Sequence, residues 1–206
     1  YANKQWIQKR DADGVFGQPD FTSSACRSGG DGLCAPSGLA VDAIGNLYIS
    51  DSGNNRILID ENPFTIDTFA ERVLGQPNFD SNTCTPGAGG AASLCDPRGV
   101  AVISHVDGWG IDQGDDLYVA DRGNHRILQF LDVQTKGSGD DADGVFGQGA
   151  SMISAACSQG ASGLCAPSGV DLDRGGGSRA PVPPRPAGHR PPGPAGRGDS
   201  PLIGRP

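Results

Sequence analysis

The residues here with chemistry to offer are six cysteines, three histidines and a recurring Asp–Arg pair. The cysteines fall as Cys26 with Cys34, Cys84 with Cys95, and Cys157 with Cys165. Zinc sites generally separate their thiolates by two to four residues, often with histidine, and that spacing is absent. The imidazoles are isolated. His125 stands where an earlier segment carries Asn55, His105 borders an atypical insertion, and His189 lies near the C-terminus. Asp11-x-Asp13-Gly14 opens like a calcium loop but lacks the later acidic positions and the closing Glu, so it reads as a polar turn. No nucleophile elbow, phosphate loop or carboxylate pair is present. No catalytic, metal or cofactor residue is therefore assigned.

What organises these residues is repetition. Asp11-Ala12-Asp13-Gly14-Val15-Phe16-Gly17-Gln18 returns letter for letter at Asp141 to Gln148, with Val73-Leu74-Gly75-Gln76 between them. Leu33-Cys34-Ala35-Pro36-Ser37-Gly38 returns at Leu164 to Gly169, with Leu94-Cys95-Asp96-Pro97-Arg98-Gly99 in the middle. Asn46 to Leu58 is matched by Asp116 to Leu128, and the period is about 58 to 72 residues. Each cysteine pair occupies the same place in its unit. That makes a disulfide inside each pair self-consistent, with free thiols as the alternative. Such bridges imply an oxidising compartment.

Within a unit the pattern is strand-like. Leu39 to Asp42 and Val100 to Val102 are short apolar runs after Pro- and Gly-containing turns. A Gly45-Asn46 turn leads into Leu47 to Asp51, which alternates and favours β-branched and aromatic residues. Ser52-Gly53-Asn54-Asn55 turns into Arg56 to Ile59, and Arg72 to Gly75 makes a fourth strand. Four short antiparallel strands, repeated, describe a propeller blade. Residues 36–59 and 97–130 resemble the NHL repeat family. Its core runs Pro-x-Gly-apolar-Ala-Val-Asp, then Gly-Asn-apolar-Tyr-Val-Ala-Asp, then Gly-Asn-x-Arg-apolar. A third unit begins at 167–173. The expected fold is all-β: an incomplete β-propeller of about three four-stranded blades over residues 1–173. Ile103 to Asp115 adds about ten residues, including Trp109, that should lie on the surface.

Antiparallel strands send alternate connections to opposite ends of a blade, so the Cys loop and the Asp-x-Gly-Asn turn share one face. Binding concentrates on such loops, which makes Ser52, Asn54, Asn55, Arg122, Asn124 and His125 the candidate contact residues. Asp51 and Arg56, like Asp121 and Arg126, recur in every complete unit. A catalytic group need appear only once, so these read as fold-forming.

The resemblance implies a recognition platform with a protein, peptide or glycan ligand. The alternative it carries is an extracellular lyase or lactonase with a metal in a central channel. The net charge of −8 hides a split: residues 174–206 hold six Arg against Asp199, leaving about −13 on residues 1–173. An acidic body lacks the basic stripe that nucleic acid requires. No apolar run is long enough to span a bilayer as a helix. The expected location is extracellular or at a cell surface.

Both ends depart from the repeat. Tyr1 to Arg10 reads as the tail of an earlier unit, without a signal segment. Residues 174–206 hold nine Pro and eight Gly, a composition that cannot offset its ordering entropy. They read as a disordered tail, and as a frameshifted one, because a one-base slip around Gly188 to Ala195 can restore the missing third strand. On that reading the adhesion-like Arg197-Gly198-Asp199 is accidental. An open stack of so few blades exposes apolar surface, so the isolated chain is expected to be unstable or to aggregate.

Overall fold

A computed structural model describes residues 12–61, 63, 68–84, 90–106, 112–149, 151–157 and 160–172. The readings of Tyr1 to Arg10, Trp109, the 174–206 tail and His189 lie outside these residues.

Two four-stranded antiparallel sheets follow one another along the chain. The first comprises β1 (Pro36–Val41), β2 (Leu47–Asp51), β3 (Arg56–Asp60) and β4 (Arg72–Leu74). The second comprises β5 (Pro97–Val106), β6 (Asp112–Asp121), β7 (Arg126–Phe130) and β8 (Gly144–Phe146). Among the described residues there is no α-helix, only three short 3-10 turns. Each sheet is a meander, so every strand pairs with its neighbour in sequence.

The local chemistry explains the turns. Between β1 and β2 the Asp42 carboxylate accepts the N–H groups of Ile44, Gly45 and Asn46 at 2.8–3.0 Å. The Tyr48 hydroxyl donates to the same carboxylate at 3.2 Å. Burial, reinforced by the Asp42 and Asp115 carboxylates, raises the phenol far above its ordinary value, so it remains a donor. Between β2 and β3, and again between β6 and β7, a 3-10 turn closes on a left-handed residue, Asn55 (φ 54°) or His125 (φ 55°). Asparagine and histidine are among the few side chains that tolerate this conformation.

The sheets stack through the alternation of their strands. Tyr48, Ile57, Ile59 and Leu74 point from the rear of the first sheet onto Val100, Leu117, Val119, Leu128 and Phe130 on the front of the second. Leu33, Ile49, Leu58, Ala70 and Val73 form a smaller cluster on the front of the first. The first strands approach most closely. A Cβ on Gly38 would lie 2.3 Å from the Arg98 carbonyl oxygen, and one on Gly99 would lie 2.6 Å from the Gly169 Cα. Backbone cannot yield as a side-chain tip can, so Gly38→Ala is expected to cost about 1–3 kcal/mol. A urea midpoint equal to wild type would contradict this close approach.

Two sequence expectations need adjustment. The extra residues after Val102 largely lengthen a hairpin: Ile103 pairs with Asp116, Ser104 with Asp115, and Val106 with Asp112. The described residues also complete two sheets where about three blades were expected. The third unit contributes its Cys loop, one isolated bridge between Gln148 and Gly163, and a segment at Gly169–Val170 packed on Gly99. Beyond Asp173 the sequence supplies no match to β2 or β3.

Candidate functional site

The Cys loop of each complete unit lies directly on the 3-10 turn of the same sheet. The Gly53 N–H donates to the Cys34 carbonyl at 2.8 Å, and the Gly123 N–H to the Cys95 carbonyl at 2.8 Å. The structure closes Cys26–Cys34, Cys84–Cys95 and Cys157–Cys165, and no cysteine is left free. Three identical anchors sit beside them. The N–H groups of Leu33, Leu94 and Leu164 donate to the carbonyls of Gly17, Gly75 and Gly147. All three glycines have positive φ, and a Cβ on any of them would strike the paired leucine.

Beneath each loop lies a buried polar network. Asp51 Oδ1 accepts the Cys34 N–H at 2.7 Å, while Oδ2 accepts Asn54 Nδ2 and Arg56 Nε, both at 2.8 Å. The Arg56 guanidinium donates onward to the carbonyls of Phe79, Gly29 and Gly32. The second sheet copies this arrangement. Asp121 holds the Cys95 N–H, Asn124 and Arg126, and Arg126 reaches the carbonyls of Met152, Gly90 and Ser93. Burial pushes the Asp121 carboxyl up, while Arg126, the Cys95 N–H and Asn124 pull it down; burial prevails. These groups tie a disulfide loop to a strand turn.

The six candidate contact residues therefore divide. Ser52, Asn54 and Asn124 are buried. Ser52 Oγ donates to the Pro97 carbonyl and shares a 2.5 Å hydrogen bond with Ser37 Oγ, locking the first sheet to the second. Asn55 Oδ1 accepts the Asp96 N–H at 2.8 Å, and His125 Nδ1 accepts the Ala166 N–H at 2.9 Å. Both side chains hold the next unit's loop. Arg122 is exposed.

Arg122 does not stand alone. Its Nη1 lies 2.6 Å from Asp96 Oδ2, and Arg98 Nε lies 2.8 Å from Asp96 Oδ1, with the Arg98 and Arg122 side chains 41% and 44% exposed. In the first unit the three corresponding positions are Ala35, Ser37 and Ser52. In the third, Ala166 and Ser168 match the first two. Asp96 and Arg98 are the varying positions of the repeated Leu-Cys-x-Pro-x-Gly segment. The signal that could have found them is this departure from the repeat.

Residues 33–59 and 110–130 match the NHL repeat. The first NHL segment spans the Cys34 loop through β3, and the second spans β6 and β7. Both therefore contain the Asp–Asn–Arg network, which ties that network to the repeat, and the second also contains Arg122, whereas Asp96 and Arg98 lie outside the matched segments. No curated protein gives a significant match to the chain.

Elsewhere, His105 Nε2 lies 3.1 Å from Asp116 Oδ2 on the lengthened hairpin. Among the described residues, no group of three His, Cys, Asp or Glu could hold a metal ion. No described helix is long and apolar enough to cross a membrane.

Proposed function

We propose that this protein is a binding scaffold whose NHL-type sheets present a ligand-contacting face built from the Cys loops and 3-10 turns. One observation carries the reading. On that face most residues common to the units are engaged by the fold, while the charged residues that depart from them are exposed, as Arg122 is, or partly exposed, as Asp96 and Arg98 are. A rigid sheet carrying variable polar groups at its loops is the physical requirement for recognition. The ligand is a protein, peptide or glycan. The three disulfides point to an oxidising environment, which supports an extracellular or cell-surface location.

The test is binding of the oxidised chain to arrays of peptides and glycans, alongside an Arg98→Ala/Arg122→Ala double variant. Two charge-assisted contacts are worth enough that the variant should lose at least about tenfold in affinity. Spots retained at wild-type strength would place the binding face elsewhere. An array with no wild-type signal would overturn the scaffold reading itself.

A further inference from the structure

The two ends of the sheet stack are complementary, and the internal junction shows how. The front of the second sheet, with Leu117, Val119 and Leu128, is covered by the rear of the first. The front of the first sheet carries the matching residues Leu47, Ile49 and Leu58; Ile49 and Leu58 are buried in a cluster with Leu33 and Ala70, yet the part of the face along β1 is open. Leu39 is 66% exposed and Val41 47%, and a hollow of about 520 Å³ lies among Phe16, Leu33, Leu39, Leu47 and Ile49. By the repeat, the cover this face lacks is another rear face. The chain has one to offer. On the rear of the second sheet Tyr118 and Ile127 are half-buried and Phe146 is 50% exposed, whereas their counterparts Tyr48, Ile57 and Leu74 are fully buried.

Stacking a second copy there meets one obstacle, and the sequence removes it. The place next to β7 is held by β8, with Gly144, Val145 and Phe146 opposite Gln129, Leu128 and Ile127. Residues 11–18 repeat residues 141–148 letter for letter, and Gly14, Val15 and Phe16 are in no strand. The identity extends in structure. Gly17 and Leu33 reproduce the Gly147 and Leu164 contact, and Cys26–Cys34 has the same sequence separation as Cys157–Cys165. Gly38 corresponds to Gly169.

We infer that copies of this chain associate head to tail by segment exchange. Residues 12–41 of one copy take the place of residues 142–172 of the next, with Gly14-Val15-Phe16 pairing to β7. The strand sequence, the Gly–Leu hydrogen bond and the disulfide loop of the displaced segment each have a twin in the incoming one, so the exchange itself is nearly neutral. The gain is a complete sheet seated on Tyr118 and Ile127, with the open front face buried against it. The contact is heterologous, so it propagates to a ring or a filament.

The experiment is sedimentation velocity of the oxidised full chain over a concentration series, with four variants checked for folding by circular dichroism. Wild type is expected to sediment as multiples of the 21.1 kDa chain. Leu39→Asp spoils only the front and Tyr118→Asp only the rear, so each alone should remain a single copy. Mixed in equal amounts, they should form a dimer that grows no further, because one sound front meets one sound rear. Phe16→Asp should abolish association, whereas Phe146→Asp, in the displaced twin, should leave it within twofold of wild type. A monomeric wild type, a monomeric mixture, or like behaviour of the two Phe variants would overturn the inference. So would aggregation of wild type that persists equally in Leu39→Asp.

Discussion

Arg56→Ala is expected to lower the unfolding free energy by about 3–5 kcal/mol, the range found when one partner of a buried ion pair is removed. The side chain is fully buried, and its Nε lies 2.8 Å from Asp51 Oδ2. Truncation strands a carboxylate that keeps only the Cys34 N–H and Asn54 as donors. It also strips the carbonyls of Phe79, Gly29 and Gly32 of the guanidinium they share. Domains are generally stable by only about 5–15 kcal/mol, so the loss takes a large part of the total. Arg126→Ala should behave alike in the second sheet, where the pair is just as buried. Arg56→Lys should recover little, because one ammonium cannot reach acceptors spread around a planar fork. Arg122→Ala, whose carboxylate partner is partly exposed, should stay within about 0.5 kcal/mol of wild type. Urea unfolding followed by circular dichroism ranks the four. An Arg56→Ala protein less than about 1 kcal/mol below wild type would show that the loop stands without its buried cation.

The contrast between Arg56 and Arg122 shows what was legible in the sequence. Three of the four first-sheet strands fall within a residue of the pattern that predicts them. Leu47 to Asp51 alternates, Arg56 to Ile59 is apolar after a Gly-Asn turn, and Arg72 to Gly75 closes the unit. Asp51 and Arg56 were also readable as fold-forming, because a side chain that recurs with each turn serves the turn. Four features were hidden. β1 begins at Pro36, ahead of its apolar run, with a register shift before Gly38. The β5–β6 hairpin continues through Ser104 and Asp115, polar residues that carry no strand signal and pair only because the hairpin before them sets the register. The burial of Ser52, Asn54 and Asn124 follows from the neighbouring unit and the Cys loop covering them, contacts distant in sequence. Asp96 and Arg98 occupy varying positions of a repeated segment. Two units carry Ala and Ser at those places, and only the difference marks them.

Reduction of the three disulfides should cost more than any single substitution. Closing loops with sequence separations of 8, 11 and 8 residues stabilises by about 2.5–3 kcal/mol each on the chain-entropy estimate. Together that is about 8 kcal/mol, comparable with the whole stability of an ordinary domain. The effect should not stay in the loops. Cys34 and Cys95 supply the N–H groups that Asp51 and Asp121 accept, and their carbonyls receive Gly53 and Gly123, so a loosened loop withdraws partners from two buried carboxylates. A strong reductant in native buffer is therefore expected to unfold the chain. Cys26→Ala/Cys34→Ala alone should lower the melting temperature by about 5–12 °C. Intact mass after alkylation fixes the redox state: no thiol should react before reduction, and six should react after it. If six react beforehand, the bridges are not formed in the native protein. If none reacts but reductant leaves the melting temperature in place, the loops are held by the Asp–Arg networks alone, and the sulfur bridges contribute nothing that those networks lack.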